Sequence, residues 1–226
     1  MKAAMLWSGG KDSALALHRA LAEPDIEVVK LLCTITQPQR RVTMHGVPEA
    51  LIARQAEAIG LPWQPIYLPA ASDMQAYERA MSTALTDCLS AGVSHLIAGD
   101  IFLADLRTYR EKQFSDAGLR GHFPLWGEDT TALLQAFVAR GFRGLTVCVE
   151  AERLGEAWLG RELDAHFARQ LPPDIDPCGE NGEFHSFVWD GPIFQKPVAF
   201  TRGEAVEQVY AQGERQKAFW FLALTP

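Results

Sequence analysis

Cysteine is scarce in this chain, and its few cysteines show no pairing pattern. Cys33, Cys88, Cys148 and Cys178 are the four in 226 residues. None falls in a C-x-x-C pair, which excludes a zinc site of the usual ligand spacing. Four thiols spread over this length are not a secreted disulfide framework and fit a reducing compartment; the cytoplasm is the expected location. Long apolar runs are missing too. The N-terminal run Ala3 to Trp7 stops at Ser8, too short for a signal peptide or a membrane span, so no membrane partner is expected. Positive charge is not in excess: 21 Lys and Arg against 28 Asp and Glu give a formal charge of −7. That balance leaves no bulk field to draw the chain to nucleic acid or anionic lipid. Internal repeats, low-complexity tracts and heptad arrays are absent.

What remains is a globular composition, 48% hydrophobic and 22% charged, long enough for a large domain with its own core. The apolar run 3–7 reads as a buried strand of a parallel sheet. A glycine loop follows, then a helix over 13–21 with Ala14, Leu17 and Leu21 at helical spacing, then a strand over 26–33. That is a βαβ unit. The alternation continues with a helix from Pro48 to Gly60, a strand over 63–68, a helix over 74–91 and a strand over 94–98 ending at Gly99-Asp100. Helices over about 103–117 and 129–140 and a strand over 143–149 complete it. Strands alternating with helices predict an α/β fold with a doubly wound parallel sheet. Pro172, Pro173 and Pro177 mark a connector near Leu171. Beyond it, residues 184–190, 193–201 and 216–224 have strand-like composition. The expected division is an ATP-binding α/β domain over 1–170 and a smaller, mostly β substrate region over 171–226.

The strongest chemical signal is Ser8-Gly9-Gly10-Lys11-Asp12-Ser13 between the first strand and the first helix. It is neither a Walker A loop nor a G-x-G-x-x-G fingerprint, yet its physics is that of phosphate binding. Adjacent glycines permit positive φ and close backbone approach. Successive N–H groups can turn toward one anion, and the helix adds the positive end of its dipole. Lys11 brings a full charge, and Ser8 and Ser13 bring hydroxyls. Asp12 is odd for anion binding alone; it either ligates Mg²⁺ or orients Lys11. The position, at the carboxyl end of a sheet strand, is where open α/β sheets bind ligands.

This loop resembles the pyrophosphatase loop of the N-type ATP pyrophosphatases, which adenylate a carboxylate or carbonyl, release pyrophosphate and let ammonia or sulfur displace AMP. The resemblance implies an adenine-nucleotide α-hydrolase fold, ATP as co-substrate, and a second-strand end, Leu32, Cys33 and Thr34, beside adenine. A second cluster, Asp176-Pro177-Cys178-Gly179-Glu180-Asn181-Gly182-Glu183-Phe184-His185-Ser186, packs two carboxylates beyond Asp176, an amide and an imidazole into one turn. Glu180 or Glu183 could ligate Mg²⁺, or stabilise ammonium and take its proton. His185 could bind substrate or act as acid or base near neutral pH.

Together the glycine loop, Gly99-Asp100-Ile101, Pro124-Leu125-Trp126, the glutamate motif and Asp190-Gly191-Pro192 resemble the diphthine–ammonia ligase family over nearly the whole chain. The resemblance implies amidation of a carboxylate with ATP, Mg²⁺ and ammonia, with Lys11, Asp12, Glu183 and His185 at the chemistry and Glu180, Asn181 and Gly182 on the substrate. The Asp-Tyr-Gln-Arg segment of archaeal and eukaryotic members reads Phe102-Leu103-Ala104-Asp105-Leu106-Arg107-Thr108-Tyr109-Arg110 here. Arg107 and Arg110 share a helical face and either grip an anion or form a solvated surface. Asp100 is a site candidate or a helix cap, and His45 a candidate for the substrate mouth. Cys178 borders the motif; the other cysteines read as core. A homodimer is compatible with the sequence, and the acyl substrate stays open. The alternatives are a tRNA-thiolase-like adenylating enzyme, which shares the loop but needs a cysteine pair or an iron–sulfur triad, and a non-catalytic adenine-nucleotide-binding module.

Overall fold

Alternation along the first strand sets the layers. In the computed structural model, which describes residues 1–69, 73–212 and 215–226, β1 is Lys2–Leu6. Ala3 and Met5 enter one apolar cluster with Leu17, Leu51 and Ile52, while Ala4 enters another with Met81, Leu85 and Phe114. Both faces of this strand are therefore buried, which requires helices on each side of the sheet. The first cluster is roofed by α1 (Lys11–Ala22) and α2 (Glu49–Ile59), the second by α3 (Met74–Ser90) and α4 (Ala104–Asp116). Asp73 caps α3 by accepting the Ala76 N–H at 2.7 Å. Among the described residues no helix is long and apolar enough to cross a membrane.

The strands of this sheet are β1, β2 (Glu27–Thr36), β3 (Arg41–Val42), β4 (Trp63–Leu68), β5 (His95–Ile97) and β6 (Arg120–His122). β4, β2, β1, β5 and β6 lie side by side and parallel, and the short β3 turns back antiparallel on the end of β2. Progress from β1 runs outward through β2 to β4, then returns to the other side of β1 for β5 and β6. The order reverses between β1 and β5, and a crevice opens at their carboxyl ends.

α5 (Thr130–Ala139) leads into a second sheet, built from β7 (Arg143–Glu150), β8 (Phe184–Asp190), β9 (Thr201–Gln212) and β10 (Arg215–Thr225) in the order β8-β7-β10-β9, all antiparallel. A short helix α6 (Ala165–Gln170), capped by Asp164, lies in the β7–β8 connection. The inner residues of this sheet, Leu145 and Val147 of β7 and Phe184 and Phe187 of β8, extend the cluster that contains α1 and α2. The fold is thus the expected mixed α/β class with a small antiparallel sheet.

Two sequence expectations differ. The strand over 143–149 belongs to the antiparallel sheet, not the parallel one. It is buried along nearly its whole length, and a continuous apolar run does not reveal which kind of sheet covers it. The strand expected at 193–201 is irregular; pairing begins at Thr201. Pro197 has no N–H to give a ladder. β9 instead carries Glu204, Glu207 and Gln208, a polar pattern suited to an edge strand.

Candidate active site

The loop 7–13 folds as it does because β1 ends against α1 with no side chain to cap the helix. The N-cap is Gly10, so the first-turn N–H groups have no side-chain acceptor from the cap. Gly9 sits at φ +77, a conformation costly for any residue with a Cβ. A Cβ on Gly99 would come within 2.9 Å of the Asp12 carbonyl, so only glycine lets the end of β5 approach α1 this closely. The hydroxyls of Ser8 and Ser13 stand 3.2 Å apart, and Ser13 also donates to the Gly10 carbonyl at 2.9 Å.

The glycine loop does not hold itself. Gln55, on α2, is fully buried (0% exposed). Its Nε2 donates to the carbonyls of Gly9 at 3.0 Å and Val188 at 2.6 Å, and its Oε1 accepts the Trp7 indole N–H at 2.9 Å. β8 adds two more ties: Val188 N–H donates to the Gly9 carbonyl at 2.9 Å, and Ser186 Oγ accepts the Lys11 N–H at 3.0 Å. Neither Gln55 nor Ser186 was singled out from sequence. Gln55 had a signal, being an amide among Leu51, Ile52, Ala56 and Ile59 on an otherwise apolar helical face. Gln55→Leu strands the Val188 carbonyl and the Trp7 N–H in a dry core. The expected loss is about 2–3 kcal/mol, read as a lower urea midpoint at unchanged slope.

Above the loop lies a cleft of about 250 Å³, lined by Ser8, Lys11, Asp12, Ser13, His45, Gly99, Asp100, Arg110, Glu180, Gly182 and His185 among others. Lys11 joins the two sequence motifs. Its ammonium donates to Asp12 Oδ2 at 2.8 Å and to the Cys178 carbonyl, and lies 5.2 Å from the centre of the Phe184 ring. Burial opposes its charge, but Asp12 and its neighbours outweigh that, and its pKa sits above the ordinary lysine value. Burial raises Asp12 and Asp100 above the ordinary aspartate value, against the pull of Lys11 on the first and of Arg110, 2.8 Å away, on the second. Glu180 accepts the Ile101 N–H at 2.8 Å. Desolvation, with Asp12 and Asp100 close by, pushes its carboxyl up to about 7. Burial drives His45 down to about 4 and His185 well below the ordinary histidine value, so both imidazoles are neutral near pH 7.

Several residues grouped with the site by sequence stand elsewhere. Cys33 and Thr34 do not line the cleft: β2 runs on to Thr36, so they are ladder residues paired with Pro65 and Ile66 of β4. Arg107 is not among the residues lining the cleft; its guanidinium lies 4.5 Å from the Trp126 ring centre and 4.9 Å from that of Phe123, with Nε bonded to Glu111 at 2.7 Å. Cys178 contributes its carbonyl, while its buried thiol, pushed up by desolvation, points to the Thr130 carbonyl at 3.4 Å. Asn181 and Glu183 lie behind the loop. Glu183 is 0% exposed and its Oε1 accepts the Asp176 N–H at 3.1 Å and the Asn181 amide at 3.1 Å, with Arg153 at 3.2 Å. It ties the turn to β7's end rather than facing the cleft. Glu183→Ala leaves two donors and an arginine without their acceptor. The expected cost is about 3 kcal/mol, toward the low end for a broken buried pair because Arg153 reaches solvent. Glu183→Gln, which keeps an oxygen acceptor, is expected to lose less in the same denaturation measurement.

Residues 1–121 match the model of the diphthamide synthase N-terminal domain, and residues 129–218 match that of its C-terminal domain. The chain belongs to the diphthamide synthase family. The first match carries the glycine loop, His45, Asp100 and Arg110; the second carries Glu180, His185 and Ser186, so each family domain supplies one wall of the cleft. Among curated relatives the chain is 32% identical over 120 residues to the diphthine–ammonia ligase of Schizosaccharomyces pombe, covering 51% of this chain and 20% of that protein. It is 30% identical over 88 residues to that of Danio rerio, covering 36% of this chain and 34% of that protein. The matched segments thus span about a fifth and a third of these relatives.

Proposed function

We propose that the cleft binds ATP on the glycine loop and that the protein is an ATP-dependent ligase joining ammonia to a carboxylate. The observation that carries this reading is the Lys11 ammonium, held at once by Asp12 of the glycine loop and by the Cys178 carbonyl of the glutamate turn. One cation links the phosphate cradle to the acidic wall, so a triphosphate arriving at the loop meets the second motif. The names of the two curated relatives, both diphthine–ammonia ligases, support the class.

In this reading the positive end of α1 and the Lys11 ammonium receive the β and γ phosphates. A substrate carboxylate oxygen attacks the α phosphorus, and the bond to the bridging oxygen breaks, so pyrophosphate leaves with its electron pair. Ammonia then attacks the acyl carbon and AMP departs. The proton shed by the nitrogen goes to the Glu180 carboxylate, whose pKa of about 7 suits that exchange at neutral pH. Arg110, paired with Asp100, offers a charge for an anionic part of the substrate. Magnesium carried on phosphates needs only one or two protein carboxylates, and Asp12 and Glu180 face the cleft; among the described residues no cluster of three or more metal-ligating side chains forms a resident site. A sulfur-transfer reading has less support, since the one cysteine at the cleft wall turns its thiol into the core.

The test is incubation with ATP, Mg²⁺, ammonium and a panel of carboxylic acids, with nucleotide products separated. AMP and pyrophosphate, formed in an ammonia-dependent way, are expected. ADP and phosphate, or AMP release indifferent to ammonia, would overturn the proposal.

A further inference from the structure

His45 and His185 come from different family domains, 140 residues apart in sequence by their numbering, yet their rings lie 4.6 Å apart, tilted by 33°, where the two walls of the cleft meet. His45 Nδ1 lies 3.1 Å from the Ser186 carbonyl, which can only accept, so Nδ1 carries the proton and Nε2 keeps a lone pair. No protein hydrogen bond to that Nε2 is found among the described residues. His185 Nε2 is buried and also has no partner. Its ring makes no other hydrogen bond among the described residues, so it is free to adopt the tautomer a ligand requires. A buried polar atom without a partner is costly; His185 Nε2 is one such atom, and it belongs to a ring lying beside a second imidazole whose Nε2 has no protein partner, which describes a place for a ligand.

We propose that the His45–His185 pair is a subsite for a small N–H donor, ammonia, next to the phosphate end of the cleft. This assignment rests on the ligase reading and names the nitrogen side of it. A lone pair at Nε2 repels carboxylate and phosphate oxygens and accepts N–H. Both rings are neutral, and the Lys11 charge that helps keep them so also opposes a bound cation. The neutral amine, the nucleophilic form, is what the pair holds. Size and place follow from Gly10: a Cβ there would be 2.9 Å from the His45 ring, so the pair abuts the glycine loop. The other N–H donor the ligase reading supplies, the adenine amino group, sits at the far end of a nucleotide whose phosphates occupy that loop.

The test is a titration of protein carrying ¹⁵N-labelled histidine, followed by the imidazole ¹⁵N resonances, with ammonium chloride as probe and tetramethylammonium chloride as the control cation without N–H. The expected result is a saturable upfield movement of the Nε2 signals of both histidines with ammonium and none with tetramethylammonium. His45→Phe and, separately, His185→Phe, each checked for an intact backbone amide spectrum, should weaken the response of the remaining ring about tenfold. No saturable shift, an equal shift with tetramethylammonium, or a shift produced by ATP but not by ammonium would overturn the assignment. The AMP and pyrophosphate measurement stands apart: its failure removes the ligase reading whatever the titration shows, while a silent titration with AMP still formed removes only the histidine subsite.

Discussion

Lys11→Met is expected to cut AMP formation about 10²–10³-fold, the usual penalty for removing one donor aimed at developing negative charge. The substitution keeps the length of the side chain and its contact with Phe184 while deleting the ammonium. Two bonds to the ammonium go with it, those to Asp12 and to the Cys178 carbonyl. The fold survives because Asp12 has an escape. Its pKa is already raised by burial, and losing the Lys11 charge raises it further, so that protonation relieves the unpaired charge. The stability cost is therefore about 2 kcal/mol, that of a charge-assisted hydrogen bond. Product analysis and a urea melt on the same preparation read both numbers. Turnover within a factor of about two of the parent would take the ammonium out of the catalytic step.

Glu180→Gln is expected to flatten the pH profile. In the parent, the carboxylate able to accept the nitrogen's proton forms as pH rises through about 7, so amide formation climbs across that range; in the variant the climb disappears. Stability moves the opposite way. Folded Glu180 holds its proton up to about 7, whereas the unfolded chain releases it near the ordinary glutamate value of 4.5. Between those values the native state binds more protons than the unfolded state, so the parent loses stability as pH rises, and recovers it as pH falls. The loss is on the order of 1–2 kcal/mol after allowing for solvent screening at a partly exposed side chain. Glu180→Gln removes this dependence, leaving the variant more stable than the parent above pH 7. A variant that melts like the parent at every pH would show that this carboxyl is not the titrating group.

The parts of the site that were legible in the sequence are local ones. Ser8 to Ser13 is a strand end, two glycines and a helix start, and the residue types that suggest a phosphate cradle lie within six residues, although the ties that shape it come from α2 and β8. Asp100 at the tip of a strand was legible for the same reason. What the sequence hid depends on contacts between distant segments. Glu180 and Glu183 are three residues apart in one turn, and nothing local distinguishes them. Arg153, thirty residues upstream, draws Glu183 inward, and the Ile101 N–H, on the far side, fixes Glu180 at the cleft. Arg107 and Arg110 likewise share a helical face, yet two aromatic rings take one and Asp100 takes the other. The sheet membership of residues 143–150 was hidden because burial on every side erases the periodicity that separates one kind of strand from another.

The bonds from β8 and the turn before it to the glycine loop set an order of events during synthesis. The Lys11 N–H finds its acceptor on Ser186, 175 residues later in the chain, and the Lys11 ammonium finds Cys178, 167 residues later. A ribosome makes the first βαβ unit early and then, at about 5–20 residues per second, needs on the order of ten seconds or more before those acceptors emerge. Through that interval the nascent chain owns the cradle's residues but not its shape. Under the proposed function, the half-made protein has no nucleotide site, and one forms only when the second sheet closes over the first.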